Sequence, residues 1–147
     1  MKSRLNSITS VFPQAQVYHI SMLLFRVLVS LQLMLAHGLK KIGIGVSVAE
    51  QVPNPLHLPE MFNQLFAVAS NLFFPLLVMI GLFVRIAVLP ILAVTLTGYF
   101  MVHSGDSLLQ KDMPYMYSLA YLLILMLGPG KYSADHLLYQ KNRKAFK

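Results

Sequence analysis

Four runs of apolar residues dominate the chain, and short polar or proline-rich stretches separate them. The pattern predicts helices over residues 18–39, 62–83, 86–103 and 114–127. A helix needs roughly 20 residues to cross a bilayer, so the runs predict an all-α, integral membrane four-helix bundle. The fourth run is short, which predicts little tilt or a start in the interface. The first run lacks a small-x-small cleavage site and reads as a retained helix rather than a signal peptide.

The stretches between the runs set the connections. Residues 40–61 hold Pro53, Pro55 and Pro59, which argue against one continuous helix there. This segment is expected to fold back on the bundle as a short helix or lid. The turn at Arg85 is tight, so the second and third helices form an antiparallel hairpin. Gly128-Pro129-Gly130 stops the fourth helix. Residues 131–147 read as a basic tail facing lipid. No internal repeat is visible, and the whole chain reads as one domain.

Composition agrees with the pattern. Of the 147 residues 56% are hydrophobic and 12% charged, with a mean hydropathy of +0.63; a soluble domain carries about 25% charged residues. Cysteine is absent, which excludes disulfides, thiolate metal sites, iron–sulfur clusters and thiol catalysis. The net charge of +7 lies mostly outside the runs, so it speaks to topology and anionic lipid rather than nucleic acid. Lys2, Arg4, Arg85, Lys131, Lys141, Arg143, Lys144 and Lys147 fall on one side, and Lys40, Lys41 and Lys111 on the other. The positive-inside rule then makes both termini cytoplasmic.

The polar residues inside the runs are the candidates for chemistry. Arg26 lies in the first run, whereas all five acids, Glu50, Glu60, Asp106, Asp112 and Asp135, fall outside the runs. A cation in hydrocarbon costs at least about 2.5–3.5 kcal/mol, so Arg26 needs a partner. It either snorkels to headgroups or binds carbonyls, or it faces a ligand. Arg26, Ser30 and His37 follow at 4 and 7 residues and share one helical stripe. Gly38 allows close helix approach beside them. Asn71 is the mid-depth polar group of the second run, with Ala67 and Ser70 favouring tight packing. Thr95, Tyr99 and His103 form an i, i+4, i+8 stripe on the third. Topology brings His37 and His103 to similar depth and Asn71 within reach of Arg26. The ligand-binding candidates are therefore Arg26, Ser30, His37, Asn71, Tyr99 and His103. Two histidines at one depth could bind a haem axially, but no attachment motif accompanies them and no metal site is predicted. Tyr115, Tyr117 and Tyr121 read as an interfacial belt or, less simply, a quinone site.

Several of these residues also form a family pattern. Arg26, His37-Gly38-Leu39-Lys40, Gly81-Leu82-Phe83-Val84-Arg85 and Leu127-Gly128-Pro129-Gly130-Lys131-Tyr132-Ser133-Ala134-Asp135 occur in this order. In that pattern the chain resembles the DoxX family of small four-helix bacterial membrane proteins. The resemblance implies the bacterial inner membrane and a link to thiosulfate:quinone oxidoreductase subunits and other membrane redox assemblies. It also implies a glutamate ten residues before the hairpin glycine, where this chain has Asn71. Proton-coupled chemistry at that position is therefore not expected here. Three functions follow as expectations. The first is an accessory subunit of a redox-linked system, with a bound quinone and a partner redox subunit. The second is a non-catalytic assembly or lipid-binding protein. The third is a small transporter acting as a homo-oligomer.

Overall fold

The computed structural model describes residues 15–145. Among them it is all-helical, with α1 over Ala15–Lys41, α2 over Glu60–Ile80, α3 over Val84–Val102, α4 over Leu108–Leu127 and α5 over Ala134–Ala145. Helices α1, α2 and α3 are long and apolar enough to cross a membrane. Lys2, Arg4 and Lys147, used in the topology count, lie outside the described residues.

Helix α3 is the core element. Val84, Ala87, Val88, Ile91, Leu92 and Thr95 recur at steps of three and one and are all buried, so one stripe of α3 faces inward. It packs against α2 and α4, and α1 packs on the second half of α2. Met22, Leu33, Val78, Tyr121 and Ile124 complete the core. The outer faces are apolar as well, with Leu28, Leu65, Phe73, Ile86, Phe100 and Met126 all exposed. An apolar exterior around an apolar core is what a bilayer selects.

The helices are not regular throughout, and sequence explains where they break. Pro75 has no N–H to donate to the carbonyl of Asn71, so α2 is interrupted at Leu72 (φ −126°, ψ −59°). Helices α1 and α3 widen into π turns at Met34–Gly38 and Gly98–Val102. Such turns cluster at functional sites.

Three of the differences from the sequence reading bear on the connections. The second helix stops at Ile80 rather than 83, because Gly81 takes the left-handed conformation (φ 81°) and Phe83 follows it (φ 48°). The fourth starts at Leu108 rather than 114: Ser107 and Gln110 form a capping box that satisfies the first-turn amides. Within the basic tail, Ala134–Ala145 is a helix. Residues 42–59 contain no helix and run across one end of the bundle.

Asp135 fixes the hairpin from a distance. Its carboxylate accepts hydrogen bonds from the backbone N–H of Phe83 at 2.7 Å and of Val84 at 3.1 Å. Its own N–H donates to the Gly81 carbonyl at 2.9 Å. An anion at the first turn of α3 satisfies orphan amides and complements the helix dipole. Asp135→Ala is expected to lower stability by about 1–2 kcal/mol. Thermal unfolding in detergent checks this, and an unchanged midpoint contradicts it.

Candidate functional site

Two polar centres occupy opposite ends of the bundle. The first surrounds Arg26, which is 1% exposed. Its guanidinium donates to the Pro129 carbonyl at 3.0 Å and to the Tyr132 carbonyl. A Cβ added at Gly81 would collide with that guanidinium and with Ser133, so glycine is required there for space as well as for its positive φ. Arg26 thus lies between the C-terminal ends of α2 and α4. Both ends carry partial negative charge from unpaired carbonyls. Among the described residues no carboxylate forms an ion pair with it. Carbonyls and helix ends meet this cation directly, and the Asp135 carboxylate favours its charge through space.

This geometry corrects the expected Arg26–Asn71 contact. Asn71 donates instead to the Ala67 carbonyl of its own helix at 2.7 Å. The Arg26 side chain reaches instead to the loop after α4, which brings the Pro129 and Tyr132 carbonyls to it. Ser30 is also taken, accepting from the Tyr121 hydroxyl at 3.1 Å. Tyr121 is fully buried, so it belongs to the core and not to an interfacial belt. The stripe Arg26–Ser30–His37 therefore divides. Its first two members lock the bundle, and only His37 reaches the second centre.

The second centre is a cavity of ≈ 450 Å³ at the Lys41 end of the bundle. His37, Asn71, Thr95, His103 and Tyr117 line it, together with apolar Leu33, Phe66 and Val102. Cavities of about 300–1,000 Å³ with mostly apolar walls and a few polar groups hold small organic ligands. The Nε2 atom of His37 is buried and has no hydrogen-bond partner. The ring meets Tyr117 edge-on with centroids 5.5 Å apart. His103 lies at the rim, its Nδ1 2.7 Å from the Asp106 carboxylate. Tyr99 is not on the wall. It packs against Tyr115 at 5.5 Å and under the Lys111 ammonium at 5.9 Å.

Gly38 makes the cavity wall possible. A Cβ there would come within 2.5 Å of the Asn71 carbonyl oxygen and of Leu72 Cδ2. That carbonyl is the one Pro75 releases from the α2 ladder, so the break in α2 and the glycine in α1 meet at one point.

Residues 42–59 roof the cavity. Glu50, Val52, Pro53, Pro55, Leu56 and Leu58 all contribute to its lining. Lys41 pairs with Glu50 at 3.6 Å, and the Glu50 N–H donates to the Lys40 carbonyl at 3.0 Å. Asn63 of α2 donates to the Pro53 carbonyl at 3.2 Å. Asn54 closes a turn by exchanging two hydrogen bonds with the Leu58 backbone at 2.7 and 2.9 Å. The roof residues Glu50 and Asn54, and Asn63 that ties the roof to α2, were absent from the sequence candidates. Only Asn54 carried a signal, an asparagine between Pro53 and Pro55 in a segment too short of periodicity to be helical.

The chain has relatives at the level of a family. Residues 21–104 match the DoxX family. No curated protein and no solved structure matches the chain at a significant level. The matched stretch carries Arg26, His37, Gly38, Asn71, Gly81 and His103, and so includes residues of both polar centres. It covers more than half of the sequence and takes in most of the three apolar helices; the chain is a membrane protein and belongs to the DoxX family.

Proposed function

We propose that the chain is an accessory subunit of a redox-linked membrane system and holds a quinone headgroup in the cavity at the Lys41 end. The observation that carries this reading is a mostly apolar cavity with the polar side chains of His37, Asn71 and Tyr117 gathered on its wall. The His37 ring donates or accepts according to its tautomer, and one such hydrogen bond to a quinone oxygen or hydroxyl contributes about 0.5–1.5 kcal/mol. Asn71 and Tyr117 supply further polar groups, and Leu33, Phe66 and Val102 suit a ring and an isoprenoid tail. Bound quinone would supply the electron chemistry, in exchange with a partner subunit. His37 and Asn71 bind and orient, and the roof of residues 42–59 excludes water.

Arg26 has no part in this binding: it is not on the cavity wall, and both of its terminal nitrogens serve the Pro129 and Tyr132 carbonyls. In this reading α4 is the fourth span: its 20 residues cover about 30 Å, with Gln110, Lys111 and Asp112 at the interface. Both termini are cytoplasmic, and the membrane is the bacterial inner membrane.

The test is purification of the full chain from native membranes, followed by solvent extraction and assay of quinone. Stoichiometric quinone is expected. His37→Leu is expected to weaken binding of a short-chain benzoquinone about tenfold, the worth of one good hydrogen bond. A chain that carries phospholipid but no quinone, with His37→Leu unchanged, would move the reading to a lipid-binding assembly protein.

A further inference from the structure

The outward face of α1 carries a second, independent feature. Leu24, Leu28, Leu31 and Leu35 are exposed at 54, 62, 39 and 53% and follow at steps of four, three and four. This is the heptad spacing of a helix–helix seam. Beside the seam lies Gln32, also exposed. It forms part of a groove in which Leu28, Gln32 and Leu35 of α1 face Met113, Met116 and Ala120 of α4.

Gln32 is misplaced for a lipid-facing residue. It stands nine residues before Lys41, about 13 Å along the helix, so its amide lies within the hydrocarbon of a bilayer whose half-thickness is about 15 Å. Its side chain is exposed and makes none of the side-chain hydrogen bonds that tie α1 to α4 and the loop after it among the described residues. A bare amide in hydrocarbon costs several kcal/mol, and polar side chains in spans normally face another helix.

The partner must therefore bring both a donor and an acceptor to this depth, on an apolar surface without charge. A second copy of α1 does so. An amide is its own complement, and a twofold axis makes any such surface self-matching. No charged side chain is exposed on α1 between Ala15 and Leu39, so two copies meet without like charges. We propose that two copies of the chain pair through α1, leucine seam against leucine seam, with Gln32 hydrogen-bonded across the interface. The small Ala120 beside the groove leaves room for the partner's leucines. This pairing is separate from the cavity and does not depend on what the cavity binds.

The absence of cysteine allows a direct test in membranes holding the full chain. Leu35→Cys is expected to give a covalent dimer on mild oxidation, at twice the 16.5 kDa chain mass. Leu89→Cys, exposed on α3, is expected to give none. Adding Gln32→Leu to the Leu35→Cys chain should weaken pairing about tenfold, in the range of one interhelical hydrogen bond. Gln32→Asn, which keeps the amide, should retain it. The unfolding midpoint of each variant in detergent separates lost pairing from lost folding. The proposal is overturned by equal cross-linking from Leu35→Cys and Leu89→Cys, by a product of any other mass, or by folded Gln32→Leu that pairs as before.

Discussion

Arg26→Ala is expected to lower the stability of the folded chain by about 3–5 kcal/mol, a large share of what holds a protein of this size together. The substitution removes two charge-assisted hydrogen bonds and leaves the Pro129 and Tyr132 carbonyls facing an apolar void. It also removes the cation between the C-terminal ends of α2 and α4, whose dipoles then oppose each other across the gap. Arg26→Lys should recover about half of the loss, because a single ammonium keeps the charge without the fork that reaches both carbonyls. Thermal unfolding in detergent reads the midpoint, and limited proteolysis at residues 128–133 reads the local release. Protection of that loop at wild-type level in Arg26→Ala would show that Arg26 does not hold it.

Gly38→Val should cost about 3 kcal/mol, in the upper part of the usual range for overpacking. The added Cβ meets the Asn71 carbonyl oxygen, which is backbone and cannot rotate away, as well as Leu72. Helices α1 and α2 must separate at the point where both wall the cavity. Loss of ligand binding should therefore exceed the loss expected from unfolded chain alone. Arg26→Ala should differ: its damage lies at the other end, and the fraction that remains folded should bind normally. Measuring unfolding and binding on the same preparations separates the two centres. Equal binding per folded molecule in Gly38→Val would show that the helix contact does not shape the cavity.

Some of this was legible in the residue pattern and some was not. The three long apolar helices, the tight hairpin and the stop at Gly128 follow from local composition, because apolar length, glycine and proline act where they stand. The break at Leu72 was also within reach, since Pro75 frees the carbonyl four residues back. The start of α4 was missed by six residues because apolar content marks the buried part of a helix, whereas the Ser107–Gln110 cap marks its beginning. His37, Asn71 and His103 were singled out by depth and face, and the cavity gathers them with Thr95 and Tyr117. Tyr99 was placed by the same periodicity, but the π turn at Gly98–Val102 shifts the faces by one residue, and Tyr99 packs against Tyr115 instead.

The sequence by itself determined that this is an apolar helical chain with a cation inside it, free of thiol chemistry, whose acids all stand apart from that cation. It also raised the question of what stabilises Arg26. Only the tertiary structure answered it, through carbonyls 103 and 106 residues further along the chain. The same is true of Asp135, which caps a helix that begins 51 residues earlier. Helical periodicity reports which residues share a face within a few turns, and backbone carbonyls are common to every residue. No pattern of side chains could reveal which carbonyls would be left unpaired, because that is settled where helices end and loops cross.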